Sequence, residues 1–434
     1  MNPEILITNC LLMPDGTEAE FISDQYVHIE GDTVRQTGPV SEVPEGREAE
    51  IIDARGSLVM PGLVNCHNHS AMTLFRGMAD DLELSTWLEE YIFPSEARFL
   101  DEETVYWCTK LAAAEMITSG TTTVADGYFF EDSAALAFED SGIRAVAAQG
   151  IVDFPAPGVA DPAENLVVAG NFLDRWQGRE RITPALFAHS PYTCGARTLE
   201  KGKETAESRQ APFFIHLAET SEEVSRLQEQ TGFSPVHYLD HLGILDSRTV
   251  CVHCVAVNDR DIEILAARKA GVVTCPESNM KLAGGTAPVP DLLAKGIAVG
   301  LGTDSPASNN NCDMFREMDS LAKLQKVSRL DPTVMSASEV LRIATTGGAR
   351  VLGMEGPAAG LAPGSRADLV IVDLERANLV PFLNKSSLVY SAGAADVSTS
   401  IINGRIVMRD RNILAFDCLE AMSEVRRLAE KAMS

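Results

Sequence analysis

Two histidines, His67 and His69, close the apolar segment LVNCHNHS with one residue between them. Alternate residues of a strand face the same side, so both imidazoles can point inward at one ion. His216 ends APFFIH, and Glu219 follows it three residues later. His253 lies in TVCVHCV, where Thr249 and Cys251 are expected to share its face. His189 ends ALFAH and Asp304 ends IAVGLGTD. Three imidazoles and one carboxylate suit a borderline divalent ion such as zinc. Such an ion lowers the pKa of a bound water to about 7. A carboxylic acid and another imidazole nearby, as Glu219 and His253 would be, are the groups that move protons during attack and departure. Each histidine alone could equally be a hydrogen-bonded core residue, and a lone HxH is weak. The joint pattern carries the reading: five of the eight histidines fall at expected strand ends, and His28, His237 and His241 do not. His237 and His241 stand four apart in SPVHYLDHLG, a pair that stacks on one helix face as packing or surface. Cys251 and Cys254 flank His253 and are expected on opposite faces of its strand, so this CxxC is discounted as a metal site.

Those residues need elements to hold them. From about Pro61, short apolar strands alternate with longer helical stretches such as DEETVYWCTKLAAAEMITSG and SEEVSRLQEQTG. TTTVADGYFF, IRAVAAQGIVD, ITPALFAHSP, APFFIHLAET, TVCVHCVAV, GVVTCPESN and IAVGLGTDSP each read as a strand running into a polar loop. With the strand before His67 they make eight, which predicts a closed (β/α)₈ TIM barrel, an architecture of roughly 250 residues with chemistry at the C-terminal ends of its strands. ILITNCLLM, QYVHIEGDTV and EIIDARGSLV precede it as turn-linked strands, and RADLVIVDL and TSIINGRIVMRDRNIL follow it. The expected organisation is a barrel over residues 61–353 beside a small composite β-sandwich built from residues 1–60 and 354–434, with CLEAMSEVRRLAEKAMS as a C-terminal helix.

Of 434 residues, 36 are basic and 62 acidic, a net charge of −26. That sign repels phosphate backbones and argues against nucleic acid as a partner. The nine cysteines are odd in number and scattered, which predicts reduced thiols rather than a disulfide framework. The opening MNPEILITNCLLMPDG lacks a basic run followed by an apolar stretch, and no segment approaches the roughly 18 apolar residues of a membrane helix. A cytoplasmic protein is expected, and the charge does not identify a substrate.

PGLVNCHNHSAMTLFRGMADD resembles the first-strand motif of the amidohydrolase superfamily, and more narrowly its ATZ/TRZ-type subgroup of triazine chlorohydrolases, guanine deaminases and 5-methylthioadenosine/S-adenosylhomocysteine deaminases. HLAET, HCV, CPESNMKL and GLGTDSPASNNN continue the resemblance over essentially the whole chain. It implies one divalent ion per subunit held by His67, His69, His216 and Asp304, zinc by default and Fe²⁺ or Mn²⁺ by similar ligands. TPALFAHSPYT lacks the lysine of two-metal relatives, which implies a mononuclear centre. It also implies a small-molecule substrate and that metal-activated water attacks its amino-bearing ring carbon, with Glu219 giving a proton to the adjacent nitrogen and His253 and Asp304 handling the protons of water and departing ammonia. LSTWLEEYIFPSEARF is similar to the methylthioadenosine/S-adenosylhomocysteine deaminases. On that match Glu96 accepts from two ribose hydroxyls, Trp87 packs near the 5′ substituent, and His189 contacts purine or sugar. Gln149, in AVAAQGIVD, is implied to be a substrate-binding residue that stands where such relatives carry an arginine, and ADPAEN lacks a second one. This favours methylthioadenosine or adenosine over S-adenosylhomocysteine. The alternatives are a guanine, pterin or triazine-type hydrolase on the same scaffold, or a non-catalytic assembly module. Relatives of this kind form dimers or tetramers, so a homo-oligomer is implied.

Overall fold

A computed structural model describes residues 4–15, 21–44, 49–354 and 360–433 of the chain. Parts of both expected chain-end segments (1–3, 16–20, 45–48, 355–359 and 434) lie outside these residues. The N-terminal strands are β1 (Glu4–Leu12), β2 (Ile22–Glu30), β3 (Thr33–Pro39), β4 (Glu50–Asp53) and β5 (Leu58–Pro61). Eight parallel strands follow: β6 (Leu63–Asn68), β7 (Thr121–Tyr128), β8 (Arg144–Ile151), β9 (Ile182–Ala188), β10 (Phe213–Leu217), β11 (Thr249–His253), β12 (Gly271–Thr274) and β13 (Val299–Leu301). They close into a barrel through pairing of Leu301 with Asn65. The chain ends with β14 (Leu369–Val372), β15 (Val397–Ile402), β16 (Arg405–Arg409), β17 (Asn412–Ile413) and the helix Cys418–Met433.

The barrel strands are buried on both faces, which is why they read as unbroken apolar runs. Val146, Ala148, Phe187, Phe214, Val250 and Val252 pack together inside it. Ala145, Ala147, Leu186, Phe213, Ile215 and Cys251, one residue out of step, join the larger core shared with the helices. The helices begin where the sequence offers caps: Asp101 accepts from the Thr104 amide at 2.8 Å, and Asn258 and Asp261 form a capping box. Gly142 and Gly232 end two of them in the left-handed conformation, at φ 80° and 78°.

Both chain ends contribute to one further sheet, ordered β17-β16-β15-β14-β5-β1-β2-β3, with β4 also on β1. The seam lies at β14, which runs antiparallel to β5 with Ile371 opposite Val59. Arg144 of β8 couples this sheet to the barrel: it pairs with Asp368 at 2.6 Å and donates to Asn403 at 2.9 Å. Removing one partner of such a buried pair costs about 3–5 kcal/mol, because the other charge stays buried. No helix among the described residues is long and apolar enough to cross a membrane. All nine cysteines are free thiols.

Candidate active site

The strand ends that hold the polar residues depart from regular β geometry. Between the pairs Asn65–Val124 and Asn68–Asp126, β6 carries one more residue than β7. This bulge turns both Cys66 and His67 inward: Cys66 lies in the interior apolar cluster, and the His67 ring stacks on Phe187 at 5.7 Å. Ala218, His253 and Asp304 take φ of 52°, 74° and 57°, left-handed values uncommon away from glycine and concentrated at functional sites. The expected shared face of Thr249, Cys251 and His253 is therefore not observed. Val250 and Val252 face the barrel interior, and His253 reaches the centre because its backbone turns there. The same turn puts Cys254 in the outer core with Cys251 rather than opposite it.

Four groups converge. His216 Nε2 lies 3.3 Å from His67 Nε2 and 3.3 Å from His69 Nε2. Asp304 Oδ1 lies 3.2 Å from His67 Nε2 and 3.5 Å from His69 Nε2. His69 donates its Nδ1–H to the Gly127 carbonyl at 2.5 Å, which leaves Nε2 a bare lone pair. Burial pushes His67 down to about 3 and holds His216 well below the ordinary histidine range, so these rings are neutral. Burial opposes the charge of Asp304, yet the neighbouring imidazoles, His67 foremost, hold its carboxyl well below the usual range. Neutral imidazole nitrogens aimed at one another around a carboxylate oxygen lack enough protons to satisfy each other. A divalent cation satisfies them all, and three nitrogens with one oxygen suit zinc.

A surrounding shell orients these groups. Asp304 Oδ2 accepts from Ser278 Oγ at 2.6 Å and Ser308 Oγ at 2.8 Å, so Oδ1 is left for the centre. His253 donates Nδ1–H to Asn279 Oδ1 at 2.9 Å, and its Nε2 stands 3.7 Å from Glu219 Oε1. Burial raises the Glu219 carboxyl. Glu223 accepts from the Glu219 amide at 2.8 Å and the Ala218 amide at 3.0 Å, which holds the turn that presents Glu219. Two glycines are required by space. A Cβ on Gly302 would sit 2.8 Å from His67 Cβ, and one on Gly127 would sit 2.3 Å from the Phe187 ring.

The cluster floors a cavity of about 300 Å³. Trp87, Phe93, Phe129, Phe154 and Leu282 line it, and no lysine or arginine does among the described residues. Glu96, 5% exposed, also lines the cavity and accepts from the Tyr128 hydroxyl at 2.5 Å. Burial pushes Glu96 up to about 7 against the pull of that hydroxyl. Trp87 and Glu96 come from a helical run whose Trp87–Ile92 segment is π-helical, before the α-helix Phe93–Phe99. Pro94 has no N–H to give, so the regular ladder is broken there, and π turns recur at functional sites. His189 reaches the cavity beside Phe93, with Nδ1 3.1 Å from Thr193 Oγ1.

The structure thus gathers His67, His69, His216, Asp304, Glu219, His253, His189, Trp87 and Glu96 around one cavity. Gln149 is the exception. It shares the outward face of β8 with Ala145 and Ala147, accepts from the Glu131 amide at 3.3 Å, and leaves Gly150 on the cavity wall. His28 contacts Glu4 at 3.3 Å, and His237 and His241 pack on Phe233, all away from the cavity. Sequence reasoning missed Tyr128, Ser278, Asn279 and Ser308. Ser278 and Asn279 do lie within CPESNMKL, a segment whose resemblance was visible without assigning them a task.

A (β/α)₈ barrel with three histidines and an aspartate gathered at the C-terminal mouth is the framework of a metal-dependent hydrolase. The profile described as Amidohydrolase family matches residues 58–407. A 5-methylthioadenosine/S-adenosylhomocysteine deaminase from Syntrophus aciditrophicus is 46% identical over 412 residues, 94% of this chain and 93% of the relative. A 5′-deoxyadenosine deaminase from Methanosarcina mazei is 42% identical over 99% of both chains. The crystal structure of an adenosine deaminase from Xanthomonas campestris with bound zinc superposes with a TM-score of 0.96 at 34% identity, covering 100% of this chain and 99% of that one. The chain belongs to the amidohydrolase family.

Proposed function

We propose that this chain is a hydrolytic deaminase that converts the 6-amino group of an adenine nucleoside to the inosine-type oxo group and ammonia. The observation that carries the reading is the buried Glu96, which lines the same apolar cavity as the His/Asp cluster. A carboxylate can accept from two adjacent hydroxyls, and a ribose diol attached to a purine offers that pair at the required end. The names of the similar deaminases support the same substrate class.

His67, His69, His216 and Asp304 would hold the ion, zinc by donor type, with Fe²⁺ or Mn²⁺ accepted by the same donors. When bound there, it supplies a water whose pKa is lowered toward neutrality. Glu219, raised by burial and so inclined to keep its proton, gives it to ring N1. His253, with Nδ1–H committed to Asn279, presents Nε2 to take a proton from the attacking water. It passes that proton to the departing ammonia, while Asp304 takes the second proton of the water oxygen as the C6 oxo group forms, and that proton restores Glu219. His189 and Trp87 border the sugar end and the 5′ substituent.

Among the described residues no lysine or arginine lines the main cavity, so the carboxylate of a homocysteine tail would find no cation within it. Methylthioadenosine, adenosine or 5′-deoxyadenosine is therefore preferred to S-adenosylhomocysteine. Free thiols throughout support a reducing cytoplasm. By likeness to its subgroup, the chain forms a homo-oligomer, dimer or tetramer, a state readable from light scattering. The test of function is ammonia release from these four nucleosides by zinc-loaded protein. Turnover of guanine or a triazine with no turnover of any adenosine would overturn the assignment, and a kcat/KM advantage for S-adenosylhomocysteine would overturn the preference.

A further inference from the structure

A second, smaller cavity of about 80 Å³ adjoins the first. The two share Leu84, Leu88, Phe93, Tyr192 and Glu219. None of His67, His69, His216 and Asp304 borders the side cavity, so it opens on the flank of Glu219 that faces away from the cluster. Leu84, Leu88 and Phe93 are its apolar lining, Thr220 and the buried Glu223 add polar groups beside Glu219, and the exposed Ser85, Glu89, Glu222 and Arg226 border it.

The position of Glu219 decides what this space is for, given the adenine-deaminase reading on which the inference rests. Glu219 addresses N1 of the ring. Two ring carbons flank N1: C6 faces the cluster, and C2 lies on the other side. A group on C2 therefore projects past Glu219 into the side cavity. We infer that this cavity is a subsite for a substituent at C2 of the purine, and that the enzyme accepts 2-substituted adenine nucleosides. The side chains of Leu84, Leu88 and Phe93 suit a chlorine or methylthio group, and the exposed charged groups at the border let a polar tip reach water. The C2 group takes no part in the reaction, so hydrolysis proceeds as for the parent nucleoside.

The experiment compares kcat/KM for adenosine, 2-chloroadenosine and 2-methylthioadenosine in the zinc-loaded enzyme and in Ser85→Trp. Ser85 borders only the side cavity and is exposed, so an indole there fills the subsite and leaves the main cavity as it is. Steric differences of one or a few atoms in a pocket amount to about 10–200-fold. The native enzyme is expected to use both analogues within about tenfold of adenosine, and Ser85→Trp to lower their ratio to adenosine by at least about tenfold. Taking the ratio of variant to native for each compound cancels the electronic effect of chlorine on the ring. Glu222→Trp, from the facing helix, is a second plug should the first variant fold poorly. Native enzyme that deaminates adenosine but uses 2-methylthioadenosine less than about a hundredth as well overturns the subsite. So do plugs that slow all three compounds alike. Failure to deaminate adenosine at all is a different outcome and counts against the adenine-nucleoside reading itself.

Discussion

The two ends of the main cavity are built by different means. At the cluster end, every group sits on or just after a barrel strand, and its direction is set by short hydrogen bonds: His69 to Gly127, His253 to Asn279, and Asp304 to Ser278 and Ser308. The backbone there is bulged at β6 and left-handed at Ala218, His253 and Asp304. At the far end, one helical run carries Trp87, Phe93 and Glu96, and among the described residues Glu96 accepts from the Tyr128 hydroxyl. The cluster end is rigid and overdetermined, as chemistry at a metal requires. The far end is apolar with one buried acid, which suits recognition of a flat base and a diol.

Breaking the cluster end should cost most. His216→Ala or Asp304→Asn should lower kcat/KM at least about 10³-fold and reduce bound metal in elemental analysis, because the ion activates the water. If either variant keeps full metal and activity, the ligand set is wrong. Breaking the far end should cost less and act on binding. Glu96→Gln should lower kcat/KM for adenosine about 10²-fold, mainly through KM, since it leaves a diol poorly paired in a buried site. Turnover of free adenine should hardly change, and an equal loss for both would remove the case for a ribose. Loosening the support around the cluster should have an intermediate to small effect. Asn279→Ala or Ser278→Ala should cost about 10–100-fold in activity or metal affinity, the usual weight of groups that orient ligands.

The smallest effect is a pH dependence confined to the far end. Burial raises Glu96 to about 7, so below that pH it is largely protonated and accepts less well from two hydroxyls. KM for adenosine should fall by a factor of about three to ten between pH 6 and 8, with one pKa unit corresponding to about 1.4 kcal/mol. Glu96→Gln should abolish that slope. The same shift bears on stability with a defined sign. The folded-state pKa is raised, so the contribution is present below the unfolded value and is lost as pH rises through about 7.

Much of the cluster end was legible because strand periodicity and residue type coincide there. His189 and His216 follow the interior parity of Phe187 and Phe214, so an alternating pattern was enough to aim them. His253 was found by type but aimed for the wrong reason, since its inward direction comes from a left-handed backbone that alternation does not describe. Gln149 failed for the converse reason: it lies on the right strand, at the right end, on the outward face. Tyr128 carried no signal, because its partner Glu96 is thirty-two residues away in the chain.

By itself the sequence determined the order of strands and helices, the barrel with its flanking chain-end strands, and which imidazoles and carboxylates stand at strand ends. Those properties follow from local patterns of apolar residues, which repeat every two or every 3.6 positions. Only the tertiary structure decided that four of those groups meet within hydrogen-bonding reach, that an acid far away in sequence faces them, and that a side cavity opens beside Glu219. These depend on bulges, left-handed turns and close glycine contacts between segments far apart in the chain, whose geometry is set by packing rather than by any local period.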